Sequence, residues 1–175
     1  MFNVREATVK DAEEVAKVHV DSWRSTYKDL VKEEDLAQET SYENRKVFWE
    51  TILKSQLTKQ ILYVAENREH QVVGFVSGGP ERSKKFPYEG EIYAIYILEE
   101  YQGQGIGKKL LTSFMHKAME MDYESILVWV LTANPSSQFY EYFGAKPIDA
   151  EEITIGEGTY EETAYGWDDV RPLIQ

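Results

Sequence analysis

The sequence predicts a mixed α/β fold, built on a central mixed sheet with few helices crossing between its strands. Segments with helical spacing of apolar residues and short β-rich runs follow one another in the order β-α-α-β-β-β-α-β-α-β-β. The chain has 175 residues, of which 42% are hydrophobic and 13% aromatic, so there is enough apolar material for a sizeable core. We therefore expect one domain over residues 1–175.

The N-terminal half combines a strand, two helices and a β-hairpin. Its first strand alternates apolar and polar residues, and Val15, Val18 and His19 fall on one side of the first helix. The two runs of the hairpin are β-rich and are joined by a polar turn. The predicted segments are a strand at 2–8, helices at 11–23 and 42–56, an irregular stretch at 22–39, hairpin strands at 61–65 and 72–79, and a loop at 83–90.

The C-terminal half begins with an almost wholly apolar run, EIYAIYIL, which is typical of a strand buried on both faces. An amphipathic helix follows, and a later short helix ends before Gly144. Glycine is the usual C-terminal cap of a helix because it readily adopts the left-handed backbone conformation. Two last strands flank Gly156-Glu157-Gly158. The predicted segments are strands at 91–98 and 126–131, a helix with the buried stripe Leu110, Leu111, Phe114, Ala118 and Met121, a helix at 135–143, and hairpin strands at 148–155 and 159–167.

The chain is strongly acidic, with 31 Asp and Glu residues against 19 Lys and Arg and a formal net charge of -12. Such a chain lacks the basic face that binds nucleic acid, and anionic lipid headgroups repel it. We therefore expect no nucleic-acid partner and no membrane. Eight acidic residues, and no Lys or Arg, lie between Pro147 and Val170. This segment is either a solvated face of the last hairpin or a patch that attracts a cationic substrate.

The absence of cysteine excludes disulfides, thiolate metal sites and a cysteine nucleophile. His19, His70 and His116 are scattered without the spacing of metal ligands, so we expect structural or surface roles for them and no metal site. No run of 18 apolar residues occurs, and the first residues are not followed by an apolar segment. We therefore expect a cytoplasmic protein.

The segment Tyr101–Lys109 is rich in glycine and lies between a buried strand and an amphipathic helix. Alternating glycines at a helix start let the backbone approach a ligand and leave N–H groups free, and the helix dipole then favours a phosphate. The Walker A pattern fails because Gln102 and Lys109 stand where Gly and Ser or Thr are required. The dinucleotide pattern fails because Lys108 or Leu110 stands where its last Gly is required. A turn without a ligand is the alternative.

The Gln-x-x-Gly-x-Gly pattern over Gln102–Gly107, after an apolar strand, resembles the acetyl-CoA pyrophosphate loop of the GNAT N-acetyltransferase superfamily. A later segment, Asn134–Ala145, is similar to that family's Asn-Pro-x-x-x-Phe-Tyr-Glu-x-x-Gly run. The stretches Val4–Ala12 and His19–Arg24 also resemble small bacterial members. These features occur in the family's order and span nearly the whole chain.

This resemblance implies a mostly antiparallel sheet of about seven strands with about four flanking helices, in which the fourth and fifth strands splay apart. It implies acetyl-CoA as the cosubstrate, without a metal. The N–H groups of Gly103–Lys108 would hold the pyrophosphate, and the strand edge at Ile95–Ile97 would bind the pantetheine arm. The expected cofactor-binding residues are Ile95, Tyr96, Ile97, Gln102, Gly103, Gln104, Gly105, Ile106, Gly107, Lys108 and Asn134. For Asn134, which precedes Pro135, a helix N-cap is the alternative.

Acetyl transfer to an amine needs a base, because an alkyl amine is protonated at neutral pH and exposing its lone pair costs roughly 4 kcal/mol. The resemblance implies Glu91 as that base, at the offset where the histone-acetylating branch carries its glutamate, with Glu89 in reserve. Tyr140 matches the family's general-acid tyrosine, which protonates the departing CoA thiolate. The alternatives are that water acts as the base, that Glu91 only faces solvent, and that Tyr140 only packs in the core. Direct transfer in a ternary complex fits a chain without cysteine.

The acetyl acceptor is expected to be a primary amine of a small molecule or peptide, and a cationic one. In this family the first two helices frame the acceptor site, which implies Trp23 and Tyr27 here; Phe86 and Tyr88 lie just before the catalytic strand. Aromatic rings beside carboxylates suit a cationic amine, and core packing is the alternative for Trp23 and Tyr27. A CoA-binding sensor or interaction module without transfer activity is the second functional hypothesis. A homodimer is compatible with both.

Overall fold

The computed structural model describes residues 1–55 and 59–174. Within these ranges the chain forms seven strands and five α-helices, and the mixed α/β class is confirmed. Their bounds are β1 Asn3–Glu6, α1 Ala12–Tyr27, α2 Glu33–Glu39, α3 Tyr42–Lys54, β2 Ile61–Glu66, β3 Val72–Pro80, β4 Gly90–Ile97, α4 Ile106–Glu120, β5 Ile126–Leu131, α5 Ser137–Tyr142, β6 Lys146–Ile155 and β7 Gly158–Trp167.

The seven described strands form one sheet in the order β1-β2-β3-β4-β5-β7-β6. Neighbouring strands are antiparallel except β4 and β5, which are parallel and hydrogen-bonded only over Gly90–Ile92 and Ile126–Val128. Beyond this short ladder β4 stays on β3 as far as Ile97, and β5 stays on β7 as far as Leu131. The two strands therefore separate, and the expected splay between the fourth and fifth strands is confirmed.

A bulge in β4 sets the direction of its side chains. Ser77 lies opposite Ala94 and Gly78 lies opposite Ile92, so Tyr93 is an extra residue without a partner on β3. Such an insertion bends the strand and moves the following side chains to the other face. Ile92 accordingly packs in the core that contains α4, whereas Ala94 packs against the core that contains α1 and α3.

Two apolar cores cover the two faces of the sheet. Phe114 of α4 is fully buried on one face, and Trp49 of α3 packs against fully buried Phe75 on the other. Burying a side chain of this size stabilises the fold by about 1.5–3 kcal/mol. Gly78 is required by the first core, because a Cβ there would lie 2.4 Å from the Phe114 ring.

The stretch 22–39 differs from its prediction as irregular, because α1 runs past its expected end and α2 forms a further helix. Leu36 of α2 is buried in a small cluster with residues of β5 and β6, and Asp35 accepts a hydrogen bond from the hydroxyl of Tyr160 on β7. These contacts involve the β6–β7 hairpin, so the short helix is stabilised by tertiary packing. The local spacing of apolar residues therefore does not predict it.

The other predicted helices and strands are confirmed to within two residues at each end, where the structure describes them. Gln56, the predicted last residue of the second helix, lies outside the described residues. Among the helices of the described ranges, none is long and apolar enough to cross a bilayer.

Candidate active site

The separation of β4 and β5 opens a cavity of about 260 Å³, which we call the splay cavity. Its walls are residues 93–97 of β4 and 128–130 of β5. Tyr27 of α1, Asn134 and Tyr140 also line it, and Gln102 and Gly107 connect it to the glycine-rich turn. Most of the predicted cofactor-binding segments therefore meet at one site.

The glycine-rich turn has the left-handed backbone that favours glycine. Gly103 has φ +76° and Gly105 has φ +84°, and a Cβ at either position would meet open space. Ile106 is buried in the core and anchors the start of α4, so its predicted role can involve only its backbone. Because the first N–H groups of a helix have no acceptor within it, the exposed turn offers donors to an anion.

Side chains around the turn fix its position. Gln102 donates from Nε2 to the carbonyl of Ile97 at 3.1 Å, which ties the turn to the end of β4. Gln104 donates to the carbonyl of Glu100 at 3.4 Å, and Lys108 is exposed on the first turn of α4. A Cβ at Gly107 would lie 3.1 Å from the Phe139 ring, so glycine permits the close approach of α4 and α5 there.

Among the described strands, none pairs with the edge of β4 that faces the splay cavity over Ile95, Tyr96 and Ile97. These residues pair with β3 on the other side, while β5 has already turned away. Backbone N–H and C=O groups along such an edge can bind an extended ligand as a further strand would. The edge of β4 at these three residues therefore borders the splay cavity without a paired strand among the described residues.

Asn134 is buried at the start of the segment leading to α5. Its Oδ1 accepts a hydrogen bond from the backbone N–H of Ser136 at 2.9 Å. The same side chain lines the splay cavity and interacts with the Tyr27 hydroxyl. The N-cap of α5 is Ser136, so the alternative of Asn134 as the helix N-cap is wrong. Asn134 instead stabilises the turn before that N-cap and also faces the cavity.

Tyr140 lies on α5 with only 4% of its surface exposed, and its side chain contributes to the splay cavity. Burial, with a smaller contribution from Tyr27, raises the pKa of Tyr140 well above its ordinary value. Burial also raises the pKa of Tyr27 and of Tyr96, which line the same cavity. Three neutral phenols therefore surround the cavity, and each can act as a hydrogen-bond or proton donor.

Glu91 is almost completely buried at the start of β4, with 2% of its surface exposed. Arg82 donates to it from Nη2 to Oε2 at 2.7 Å and from the backbone N–H to Oε1 at 3.1 Å. Glu91 does not line the splay cavity, nor the second cavity described below, which Arg82 does line. Glu89, the reserve base, accepts a hydrogen bond from the backbone N–H of Glu124 at 2.9 Å and lies outside both cavities.

A second cavity of about 500 Å³ lies on the side of α1 and α3, and we call it the arginine cavity. It is lined by His19, Trp23, Arg45, Phe48, Trp49, Ile52, Gln60, Ser77, Arg82, Tyr93, Ala94 and Tyr96. Tyr93, Ala94 and Tyr96 line the splay cavity as well. The bulged part of β4 is therefore the wall that the two cavities share.

The three predicted acceptor-binding aromatics fall in three different places. Trp23 lines the arginine cavity, and Tyr27 lines the splay cavity. The prediction for Tyr88 is not supported by its position, since Tyr88 lines neither cavity and donates to Asp168 at 2.8 Å. Its ring occupies the space above Gly166, where a Cβ would come within 2.5 Å of it, and burial raises its pKa to about 12.

Several residues of the site carry no local sequence signal. Arg45 and Arg82 come from α3 and from the loop before β4, and only the fold brings them to one cavity. Half-buried Glu162 on β7 has a pKa raised first by burial and then by Glu151 and Glu91, whereas Arg82 lowers it. Glu162 of the acidic β6–β7 hairpin therefore interacts electrostatically with the Arg82–Glu91 pair.

A parallel strand pair that splays beside a glycine-rich helix start, with a buried tyrosine in the opening, defines the site of an acyltransferase fold. The sequence pattern of the Acetyltransferase (GNAT) family matches residues 19–145. The chain belongs to this family, and the resemblance of its motifs is thereby confirmed.

Individual relatives agree with this membership. The chain is 37% identical over 173 residues to an "Uncharacterized N-acetyltransferase YuaI" from Bacillus subtilis (strain 168), covering 99% of this chain and 96% of the relative. It is 27% identical over 112 residues to a spermidine N(1)-acetyltransferase from Thermoplasma acidophilum, covering 63% and 66%. The PaiA N-acetyltransferase from Thermoplasma acidophilum, solved in complex with coenzyme A, shares the fold with a TM-score of 0.75 at 19% identity, covering 95% and 99%.

Proposed function

We propose that the chain is a cytoplasmic N-acetyltransferase that transfers the acetyl group of acetyl-CoA directly to a primary amine of a small molecule or peptide, in a ternary complex. The main support for the proposal is that the glycine-rich turn and the two cavities form one connected site. The glycine-rich turn opens onto the splay cavity, which holds Tyr140 and shares the wall Tyr93–Tyr96 with the arginine cavity. A cofactor and an amine that enter from the two sides would meet beside Tyr140.

The cofactor side uses backbone donors. Coenzyme A is an anion and the protein carries a net charge of -12, so its phosphates must bind through local groups. The N–H groups of Gly103–Lys108 at the start of α4 are proposed to hold the pyrophosphate. The unpaired edge of β4 at Ile95–Ile97 and the side chain of Asn134 are proposed to bind the pantetheine arm. The coenzyme A in the complex of the Thermoplasma relative supports this choice of cofactor.

The transfer itself is proposed to use a buried proton donor. The amine nitrogen forms a bond to the thioester carbon, and the tetrahedral intermediate then breaks its carbon–sulfur bond. A backbone N–H near Tyr96 or Ile97 stabilises the oxyanion. Tyr140 gives its phenolic proton to the CoA sulfur, which leaves as a thiol, and the proton that the acylated nitrogen then loses restores the phenol. The raised pKa of Tyr140 keeps this proton in place until the thiolate develops.

Glu91 remains the proposed base, with a water chain as the alternative. The ammonium of the bound amine must lose one proton before attack, and the buried carboxylate can take it up. The guanidinium of Arg82 is hydrogen-bonded to the Glu91 carboxylate, so this hydrogen bond must break before Glu91 can take up a proton. This makes the Arg82–Glu91 pair a control point in the proposed reaction.

A cationic amine is the proposed acceptor, because the reacting group is an ammonium until it is deprotonated. The indole of Trp23, which lines the arginine cavity, is a suitable partner for such a group, and Glu162 is close enough to Glu91 and Arg82 to interact with them electrostatically. The acidic hairpin would then favour the entry of ammonium groups and not merely keep the chain soluble. The spermidine N(1)-acetyltransferase among the relatives acts, by its name, on an amine of this kind.

The experiment combines calorimetry of CoA binding with an assay of CoA release from acetyl-CoA. The amine panel contains polyamines, amino acids, aminoglycosides and peptides. The proposal expects CoA binding and CoA release that depends on the amine. Binding without release for every amine would favour the non-catalytic CoA-binding module, and failure to bind CoA would contradict both functions.

A further inference from the structure

The arginine cavity has an unusual charge for this protein. Among the described residues that line it, the charged side chains are Arg45 and Arg82, and none is a carboxylate. The whole chain has 31 acidic residues against 19 basic ones. A cavity lined by guanidinium groups in so acidic a protein points to a specific local requirement for positive charge.

Both arginines are held in place but retain free N–H groups. The guanidinium carbon of Arg82 lies 4.0 Å from the centre of the Tyr93 ring, and its Nη2 donates to Glu91. The guanidinium carbon of Arg45 lies 5.6 Å from the centre of the Phe48 ring, and its Nη2 pairs with Glu39. A guanidinium has five N–H donors, so these contacts leave donors for a ligand at each arginine.

His19, which lines the cavity, carries a further neutral N–H group. His19 accepts a hydrogen bond at Nδ1 from Trp49, 3.2 Å away, so its neutral ring carries the hydrogen on Nε2. The indole nitrogen of Trp23 is buried, and its interaction with the Tyr96 hydroxyl lowers the pKa of that tyrosine against the larger effect of burial.

We propose that the arginine cavity binds a carboxylate of the acetyl acceptor, held by Arg45 and Arg82. This inference rests on the proposed acetyl transfer and defines its substrate class as amines that also carry a carboxylate, as amino acids do. The amine would sit at the shared wall of β4, with the carboxylate on the α1 and α3 side. The inference narrows the cationic acceptors of the proposed function to those that carry a carboxylate, because the additional ammonium groups of a polyamine would face two guanidinium groups in this cavity.

The same binding step has a consequence for the base. A substrate carboxylate that pairs with Arg82 competes with Glu91 for the guanidinium. Glu91 can then accept the proton that the substrate ammonium loses, so one proton moves from nitrogen to carboxylate oxygen and no other group is consumed. Carboxylate binding would thus prepare the base only when a suitable substrate is present.

The first test compares L-amino acids with the amines that lack their carboxylate, for example lysine with cadaverine, by kcat/KM from CoA release. The proposal expects at least a tenfold preference for the amino acids in the wild-type enzyme. Arg45→Gln is expected to reduce this preference at least tenfold, whereas Arg68→Gln, an exposed arginine on the β2–β3 turn, should leave it unchanged. An equal or greater rate with the decarboxylated amines would overturn the carboxylate site and leave acetyl transfer supported.

The second test needs no turnover and no variant. N-acetylated amino acids and the matching N-acetylated amines are titrated by calorimetry into the wild-type protein with CoA present. At least tenfold tighter binding of the carboxylate form is expected, and equal affinities would overturn the proposal. Failure of acetyl transfer with every amine would contradict the proposed function separately, since this titration measures the carboxylate site alone.

Discussion

The indole N–H of Trp49 donates to Nδ1 of His19 across 3.2 Å, inside the core that joins α1 and α3 to the sheet. His19 is also stacked on Tyr96, with ring centroids 5.3 Å apart. Burial, with a smaller contribution from Arg45, lowers the pKa of His19 to about 3. The protein therefore folds around a neutral imidazole, which orients one wall of the arginine cavity.

We predict that His19 makes the folded state less stable as the pH falls below 6.5. The unfolded chain takes up a proton near the ordinary pKa of 6.5, whereas folded His19 does so only near pH 3. Its contribution to stability is therefore complete above pH 6.5 and is lost progressively between those two values. Between pH 7 and 5.5 the loss is about 1 kcal/mol, which denaturant unfolding at the two pH values measures.

The matched variant for this prediction is His19→Gln, whose amide oxygen can accept the bond from Trp49 but which does not titrate. Its free energy of unfolding should depend less on pH over this range than that of the wild-type protein. The same pH dependence in both proteins would contradict the assignment of a neutral buried His19.

Tyr140→Phe is predicted to lower kcat by about 100-fold, because the phenol is the proposed proton donor to the CoA thiolate. The affinity for acetyl-CoA should change little, since the ring and its packing on Trp167 remain. Tyr142→Phe is the control, because Tyr142 lies on the same helix with 83% of its surface exposed. Steady-state kinetics and calorimetry separate the two effects, and an unchanged kcat for Tyr140→Phe would remove its acid role.

Gly105→Val is predicted to weaken CoA binding at least tenfold, because a β-branched residue does not tolerate a φ of +84° and the turn must change shape. Open space around the position means that the variant should still fold. Gly144→Val is the control for strain, since Gly144 has φ +95° and equally open surroundings away from the turn. Calorimetry that finds normal CoA affinity in Gly105→Val would argue against the phosphate-binding role.

Glu91→Gln is predicted to lower kcat and to flatten the acid side of the pH–rate profile, because the amide can still accept the bond from Arg82 but cannot take up a proton. Glu89→Gln should keep the wild-type profile. The profiles of kcat are compared with the amine at saturation. An identical profile for Glu91→Gln and the wild-type enzyme would assign the base to water.

The parts of the fold that the sequence predicts well are those whose apolar pattern is strong over a whole element. The run 126–131 coincides with β5. All of its residues are apolar, which is the pattern expected of a strand that is buried on both faces of a sheet. α2 was not predictable, since Leu36 and Asp35 depend on partners in the distant β6–β7 hairpin. Local periodicity records neither contact.

The site likewise contains residues that the sequence identifies and residues whose positions depend on distant contacts. Among the residues that resemble family motifs, Gln102, Gly107 and Tyr140 line the splay cavity. The position of Tyr88 could not be predicted from the sequence, because its ring packs in the space above Gly166, a distant residue on β7. Arg45 and Arg82 are 37 residues apart in the sequence and meet only through the packing of α3 against the sheet. Their convergence is a property of the tertiary structure alone.

The most direct test of the account is a transfer experiment with acetyl-CoA labelled in its acetyl group. The account predicts one acetylated amine for each CoA released, identified by mass spectrometry, with no label attached to the protein. Retention of the label on the protein would contradict direct transfer in a ternary complex. CoA bound at the splay cavity with no acetylated product from any amine of the panel would contradict the central claim itself.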